Sequence, residues 1–202
     1  MIHGVDLSEY QRDVGYAALA KAVGFGYVKC SDARGGPAWV SFEDSMHRTH
    51  VAGLRAHDVP TGDYGFGHPS FSAQEHAEFF IVHAWFDQLR PVIDMESLAM
   101  GKIPSNAGEW CDEWLTRVLA ATGVQPIIYA STYYAQEMLR QVPSIADWDL
   151  WIAEYHATDE HPPKGPWPRV VAWQWTGTGG LPGIKGNADR DVCPDLSRLT
   201  AP

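Results

Sequence analysis

The 202-residue sequence has few cysteines, few basic residues and no long apolar run. Three cysteines at wide spacings, Cys30, Cys111 and Cys193, fit neither a disulfide framework nor a CxxC metal site, so we expect reduced, partly buried thiols. Lysine and arginine number 15 against 25 acidic residues, and this net charge of -10 argues against a nucleic-acid partner. A membrane span of about 20 apolar residues is also absent.

The first residues lack the parts of a secretion signal. Residues 1–7, MIHGVDL, contain no basic segment, no apolar core and no small-residue cleavage site. We therefore expect a chain that has no signal peptide and is made in the cytoplasm. No repeat, low-complexity tract or long linker divides the sequence, and its length suits one domain spanning residues 1–202.

Short apolar or alternating runs bounded by glycine, proline or aspartate recur along the chain, and such runs are typical of β-strands. Eight of them occur, at residues 2–8, 26–31, 63–68, 91–96, 126–131, 149–155, 169–175 and 187–192. Helical patterns cover residues 16–23, 106–121 and 132–140, and capping-box sequences that begin at Ser41 and Ser72 predict two more helices.

The alternation of strands and helices predicts an α/β fold. Eight strands favour an irregular, TIM-like (β/α) barrel with about five helices, and the short length of the chain indicates that the last helices are missing or vestigial. A doubly wound open sheet is the alternative, but no glycine-rich phosphate loop follows any of the strands.

Acidic residues lie at predicted strand ends, where barrel enzymes place their chemistry. Asp94 and Glu96 share one face of the fourth strand, with Cα atoms about 6–7 Å apart. Repulsion in a partly desolvated cleft favours one protonated and one ionised carboxyl, the pair that glycoside hydrolysis needs, although a solvated strand end explains the spacing equally well. Asp6 and Asp189 would join them, because the first and last strands of a closed barrel are neighbours.

Segments along nearly the whole chain resemble glycoside hydrolase family 25, the Chalaropsis-type lysozymes or N-acetylmuramidases, many of which are phage endolysins or autolysins. In the family's order they are GVDLS (residues 4–8), GDYGF (62–66), PVIDME (91–96), PIIY (126–129), LWIAEY (150–155), WQW (173–175) and GIKGNAD (183–189). The resemblance implies the catalytic domain of a phage endolysin. Because eight barrel strands would occupy nearly all of the 202 residues, we expect a single catalytic domain without a separate wall-binding domain.

The resemblance also implies hydrolysis of the β-1,4 bond between N-acetylmuramic acid and N-acetylglucosamine in bacterial peptidoglycan, without a metal or organic cofactor. Glu96 would be the general acid that protonates the leaving oxygen. Asp94 would stabilise positive charge or orient the substrate's acetamido group, since an enzymic nucleophile and substrate assistance both remain open. Asp6 and Asp189 would hold the protonation and geometry of the cluster. We expect a monomer that acts on the cell wall, with no membrane or nucleic-acid partner.

Aromatic residues are abundant, with 9 tryptophans, 8 tyrosines and 7 phenylalanines. Those near predicted strand ends, where a ring can stack on a sugar, are candidates for substrate binding: Tyr64, Tyr129, Tyr155 and Trp175. Those on helices or in mid-strand are expected to pack in the core: Trp85, Trp110, Trp114 and Trp151.

Other sequence features bear on the chemistry and on the alternative functions. The family's Lys-x-Thr-Glu-Gly segment is replaced by residues 29–33, KCSDA, which leaves a helper role for Asp32 unassigned. His47 and His50, followed by His57, raise the alternative of a metal-dependent hydrolase, which a chelator would inactivate, but a solvated helix face explains them better. His68 lies close enough to the expected site to contact substrate. A glycan-binding module that has lost turnover is the other alternative, and the four acids argue against it.

Overall fold

The computed structural model describes residues 1–35, 39–96, 102–155 and 167–202. Its strands are β1 (Ile2–Leu7), β2 (Phe25–Arg34), β3 (Val40–Glu43), β4 (Thr61–Phe66), β5 (Val92–Met95), β6 (Ile127–Ser131), β7 (Asp149–Ala153), β8 (Val170–Gly179) and β9 (Ala188–Cys193). Its α-helices are α1 (Tyr16–Leu19), α2 (His47–Arg55), α3 (Ala73–His83), α4 (Ala107–Thr122) and α5 (Thr132–Gln141). None of the helices described here is long and apolar enough to cross a membrane.

The strands form one sheet that closes on itself. Their order is β1-β9-β8-β7-β6-β5-β4-β2-β3, and a parallel pairing of β1 with β2 closes an eight-stranded barrel with β3 outside it on the edge of β2. The last strand, β9, runs antiparallel to both of its neighbours. The predicted α/β barrel is therefore confirmed, each predicted strand overlaps one barrel strand, and closure excludes the open sheet.

The helix predicted to begin at Ser41 is wrong. Ser41 lies in β3, which pairs antiparallel with β2, and α2 begins six residues later at His47. Val40 and Phe42 are β-branched and aromatic residues at alternating positions, which favour a strand. The capping box at Ser72 is confirmed, because its hydroxyl accepts a hydrogen bond from the backbone N–H of Glu75 at 3.2 Å.

The expectation that His47 and His50 lie on a solvated helix face is also wrong, because both side chains are fully buried. Together with Val51 and Leu54 they form the inward stripe of α2, at the i, i+3, i+4, i+7 spacing of a helix face. His47 contacts Asp63 at 3.0 Å and Glu43 at 2.9 Å. The His50 ring contacts the Tyr16 hydroxyl and a backbone carbonyl, so internal partners satisfy both histidines.

The other core predictions are largely confirmed. All three cysteines are free thiols and are buried, as expected for a reduced chain. Trp110, Trp114 and Trp151 are buried, whereas Trp85 is only partly covered. No α-helix separates β8 from β9, in agreement with the loss of late helices. The connection between β7 and β8 lies mostly outside the described residues, so the expected loss of a helix there stays a prediction.

A buried arginine holds together the end of the barrel where the parallel strands begin. Arg90 precedes β5 and pairs with Asp149, at the start of β7, with an N–O distance of 2.7 Å. Its guanidinium also donates to the backbone carbonyls of Gln125 and Arg198. This end of the barrel is thereby filled, which leaves the opposite end, where the parallel strands finish, for a site.

Candidate active site

The four predicted acids line one cleft at the carboxyl ends of the parallel strands. Asp6 of β1 lies directly opposite Asp189 of β9 in the antiparallel pair, so the expected meeting of the first and last strands takes place. Asp94 is in register with Phe66 of β4 and Tyr129 of β6, which places it across the barrel. Glu96, just beyond β5, is the most exposed of the four acids, whereas Asp94 is only 8% exposed.

A buried amide connects the acids to two of the predicted tyrosines. Gln174 of β8 donates from Nε2 to Asp6 Oδ2 at 2.9 Å. Its Oε1 accepts from the hydroxyls of Tyr129 at 2.9 Å and of Tyr155 at 3.0 Å. The amide therefore fixes one carboxylate and two rings at once. Gln174 is the middle residue of the WQW segment, but the sequence-based prediction of a binding residue there fell on its aromatic neighbour Trp175.

The aromatic candidates divide into two groups. Tyr64, Tyr129 and Tyr155 line the cleft, and Tyr155 is 64% exposed at its mouth. Trp175 does not belong to this lining, because side chains alternate along β8 and Gln174 takes the inward position. The Trp175 ring instead packs against the outer core beneath the guanidinium of Arg190, 4.6 Å from the ring centroid. Tyr10, a cleft residue outside the predicted substrate-binding set, is 83% exposed at the mouth.

Burial raises the pKa of all four acids in this cleft, and repulsion from neighbouring carboxylates adds to the effect for Asp6, Asp94 and Asp189. Burial followed by the charge of Asp189 raises the pKa of Asp6 well above its ordinary value. Burial and the charges of Glu96 and Asp6 do the same for Asp94. Burial also raises the pKa of Glu96, and burial with the Glu96 charge raises the pKa of Asp189 to about 6. The cluster thus retains protons near neutral pH and can supply both an acid and an anion.

A fifth acid, Asp191, lies deeper in the same barrel. It follows Asp189 by two residues on β9, so both side chains lie on the same face, and it is fully buried. The D-x-D spacing at the end of β9 was a signal for it, of the same kind as the D-x-E spacing at the end of β5.

The whole arrangement, an acid-lined cleft at the end of an eight-stranded barrel, can be compared with known proteins. The sequence matches the family described as Glycosyl hydrolases family 25 over residues 5–184. The chain belongs to glycoside hydrolase family 25. It is therefore an enzyme that hydrolyses glycosidic bonds, and the resemblance of the seven sequence segments is confirmed.

Known proteins are similar to this chain in sequence or structure over almost its full length. The structure is similar to the Clostridium perfringens spore cortex lytic enzyme SleM, with 26% identity, a TM-score of 0.83, and coverage of 98% of this chain and 69% of that one. It is also similar to the bacterial lysozyme from Streptomyces coelicolor, with 20% identity, a TM-score of 0.82 and coverage of 98% and 94%. The sequence is also similar to Lysozyme M1 of Streptomyces globisporus, with 21% identity and coverage of 94% of this chain and 67% of that protein.

Asp32, the acid at the family 25 segment that differs here, contacts a lysine and a histidine at the edge of the cleft. Lys29 forms an ion pair with Asp32 and lines the cleft, with its ammonium 4.6 Å from the centroid of the Phe66 ring. The His68 ring contacts Asp32 at 2.7 Å. Although burial raises the pKa of Asp32, the hydrogen bonds from His68 and Lys29 outweigh it and hold that pKa below its ordinary value. Asp32 is thus an ionised group that fixes Lys29, whose charge lowers the pKa values of Asp94 and Glu96.

The raised pKa of Asp189 predicts that this family 25 barrel loses stability as the pH rises. Its folded pKa of about 6 exceeds the ordinary value of 3.8, so the folded state binds the proton more tightly than the unfolded state. The stabilisation is complete below about pH 4 and is lost as the pH rises through about 6. Thermal melts between these pH values should show a falling Tm, and Asp189→Asn should flatten that slope. A slope that is identical in Asp189→Asn and wild type would contradict the assignment, and the exposed Asp13→Asn serves as the control.

Proposed function

We propose that this family 25 enzyme is a lysozyme, an N-acetylmuramidase that hydrolyses the β-1,4 bond between N-acetylmuramic acid and N-acetylglucosamine in bacterial peptidoglycan. The observation that carries the proposal is the convergence of Asp6, Asp94, Glu96 and Asp189 on one cleft, each with a raised pKa. The names of the relatives, two lysozymes and a spore cortex lytic enzyme, support the substrate class.

Glu96 is the general acid in this proposal. It is the most accessible of the four acids, and its side chain borders the open cleft where a glycosidic oxygen would lie. Burial raises the pKa of Glu96, so this side chain holds its proton to a higher pH than an exposed glutamate does. Proton transfer to the leaving oxygen breaks the glycosidic bond and leaves Glu96 ionised. A water molecule then adds its oxygen to the anomeric carbon and gives one proton back to Glu96, which restores the acid.

Asp94 supplies the negative charge that acts on the sugar while Glu96 protonates the leaving oxygen. It is almost completely covered, and its Oδ1 has no hydrogen-bond donor in the described part of the chain, so this oxygen is free to act on a substrate. Asp94 and Glu96 share one proton in this proposal. When Glu96 carries that proton, Asp94 is ionised. It then stabilises the positive charge that develops at the anomeric carbon, or orients the acetamido group that attacks this carbon. Lys29 is the nearby cation that favours this ionised form.

Asp6 and Asp189 control the proton count of the cluster, and the tyrosines hold the sugar. Asp6 is fixed by Gln174, which also aligns Tyr129 and Tyr155. The exposed ring of Tyr155 at the mouth presents a flat apolar face of the kind that stacks on a pyranose. Action as a monomer on the cell wall, outside the compartment where the chain is made, belongs to the same proposal.

The products of peptidoglycan digestion test this function. Purified walls incubated with the enzyme should acquire new reducing ends, and mass spectrometry should identify them as N-acetylmuramic acid. N-acetylglucosamine ends would show a glucosaminidase, and binding without new ends would show a glycan-binding module. Either result overturns the proposal. The digestion should proceed unchanged with a chelator present, since the groups assigned to the reaction are carboxyls.

A further inference from the structure

Asp191 is a buried acid to which the proposed reaction gives no role. Its backbone on β9 is in register with Gly4 of β1 on one side and Gln174 of β8 on the other. The side chain is fully buried, and neither carboxyl oxygen accepts a hydrogen bond of standard geometry from the described residues. An ionised carboxylate in this position would lose its hydration without a compensating donor, at a large cost in free energy.

Most groups that face Asp191 disfavour a second negative charge, and their effect outweighs that of the Trp151 indole, which favours it. Its carboxyl interacts with the carboxyl of Asp6 and with the indole of Trp151 on β7. Asp189 adds further repulsion, and the Tyr27 hydroxyl and Cys193 thiol interact with Asp191 from β2 and β9. Burial followed by the charge of Asp6 raises the pKa of Asp191 well above its ordinary value.

Two carboxyls in contact form a hydrogen bond only when one of them carries a proton. Asp191 is fully buried, whereas Asp6 is partly exposed to the cleft and accepts from Gln174, so the proton belongs on Asp191. We propose that Asp191 is a neutral carboxylic acid that donates a hydrogen bond to Asp6 and acts as a positioning residue for the catalytic cluster. Asp6 is then held between two donors, the Gln174 amide and the Asp191 hydroxyl.

This arrangement sets both the orientation and the charge of Asp6. A carboxylate with two fixed donors cannot rotate, and both hydrogen bonds favour its ionised form. Without the Asp191 donor, Asp6 would gain a proton at a higher pH and turn away from Asp189, with which it is paired across β1 and β9. The protonation of the whole cluster, including that of the general acid Glu96, would then change.

Two substitutions at position 191 distinguish a side chain that donates a hydrogen bond to Asp6 from one that only fills space in the core. Asp191→Asn keeps the size of the side chain and can still donate an N–H to Asp6, so we expect kcat within about threefold of wild type. Asp191→Leu keeps the branched shape and the number of heavy atoms but removes the donor, so we expect kcat to fall about 10- to 100-fold, the loss of one hydrogen bond to a charged group, with KM little changed. The acidic limb of its pH–rate profile should move to higher pH. Cys193→Ala, on the same face of β9, is the control and should leave the profile in place.

The activity measurements rest on the proposed muramidase function, but infrared spectroscopy does not. At neutral pH, the difference spectrum between wild type and Asp191→Asn should show the loss of one carboxylic-acid C=O band. Loss of a carboxylate band instead would show that Asp191 is ionised and would overturn the inference, whatever the enzyme hydrolyses. Equal loss of kcat in the Asn and Leu variants, or an Asp191→Leu profile that overlays wild type, would also overturn it. If the carboxylic-acid band is present but the enzyme does not hydrolyse walls, only the proposed function is rejected.

Discussion

Glu96→Gln is expected to lower kcat for peptidoglycan hydrolysis by about 10²–10⁴-fold, which is the usual contribution of a general acid. Glutamine preserves the shape of the side chain and can still donate and accept hydrogen bonds, but it cannot transfer a proton to a leaving oxygen. The side chain lies at the open end of the barrel, so the fold should be intact. Thermal melts should show an unchanged or raised Tm, because one of several mutually repelling acids is removed.

The leaving group distinguishes proton transfer from other effects of this substitution. An aryl glycoside whose phenolate departs without protonation should be hydrolysed by Glu96→Gln with a much smaller loss than peptidoglycan. Glu109→Gln, an exposed acid on α4 away from the cleft, is the matched control and should behave like wild type with both substrates. Equal losses on both substrates would show that Glu96 contributes something other than a proton, and undiminished wall lysis would reject its role altogether.

Most of the barrel could be predicted because its strands are short apolar runs between turn residues. The pairing of Asp6 with Asp189 also followed from sequence, since closure makes the first and last strands neighbours. The β3 hairpin could not be predicted in the same way, because Ser41 and Asp44 also fit a capping box. In the structure Asp44 accepts a hydrogen bond from the backbone N–H of Met46 at 2.8 Å, in the turn that leads into α2, and α2 begins at His47 without a side-chain cap.

The site was predictable where a pattern within one strand sufficed. Asp94 and Glu96 follow from alternation on β5, but alternation alone does not say how deep a residue lies or which neighbours it meets. Trp175 illustrates the limit, because only the inward position of Gln174 reveals that the tryptophan points away from the cleft. Lys29 joins the cleft through its pairing with Asp32, a contact that depends on how β2 bends at its end.

Asp94→Asn is expected to produce the second large loss, a fall in kcat of about 10²–10³-fold, comparable to the removal of one preorganised electrostatic group. Asparagine has the same shape as aspartate but carries no negative charge next to the anomeric carbon. Protein stability should not fall, because Asp94 is a buried carboxyl whose pKa is raised by burial and by Glu96. A neutral side chain relieves that penalty, and chemical denaturation should show a free energy of unfolding equal to or above that of wild type.

The pH dependence separates the role of Asp94 from that of Glu96. Removing the Asp94 charge relieves repulsion on Glu96, so Glu96 should release its proton at lower pH and the basic limb of the residual pH–rate profile should shift downward. In Glu96→Gln that limb should disappear, because no general acid is left to ionise. Asp58→Asn is the matched control, since Asp58 is exposed and its left-handed φ of 58° suits asparagine equally well. A basic limb that stays in place in Asp94→Asn would mean that the two carboxyls titrate independently, and the division of acid and anion between them would have to be abandoned.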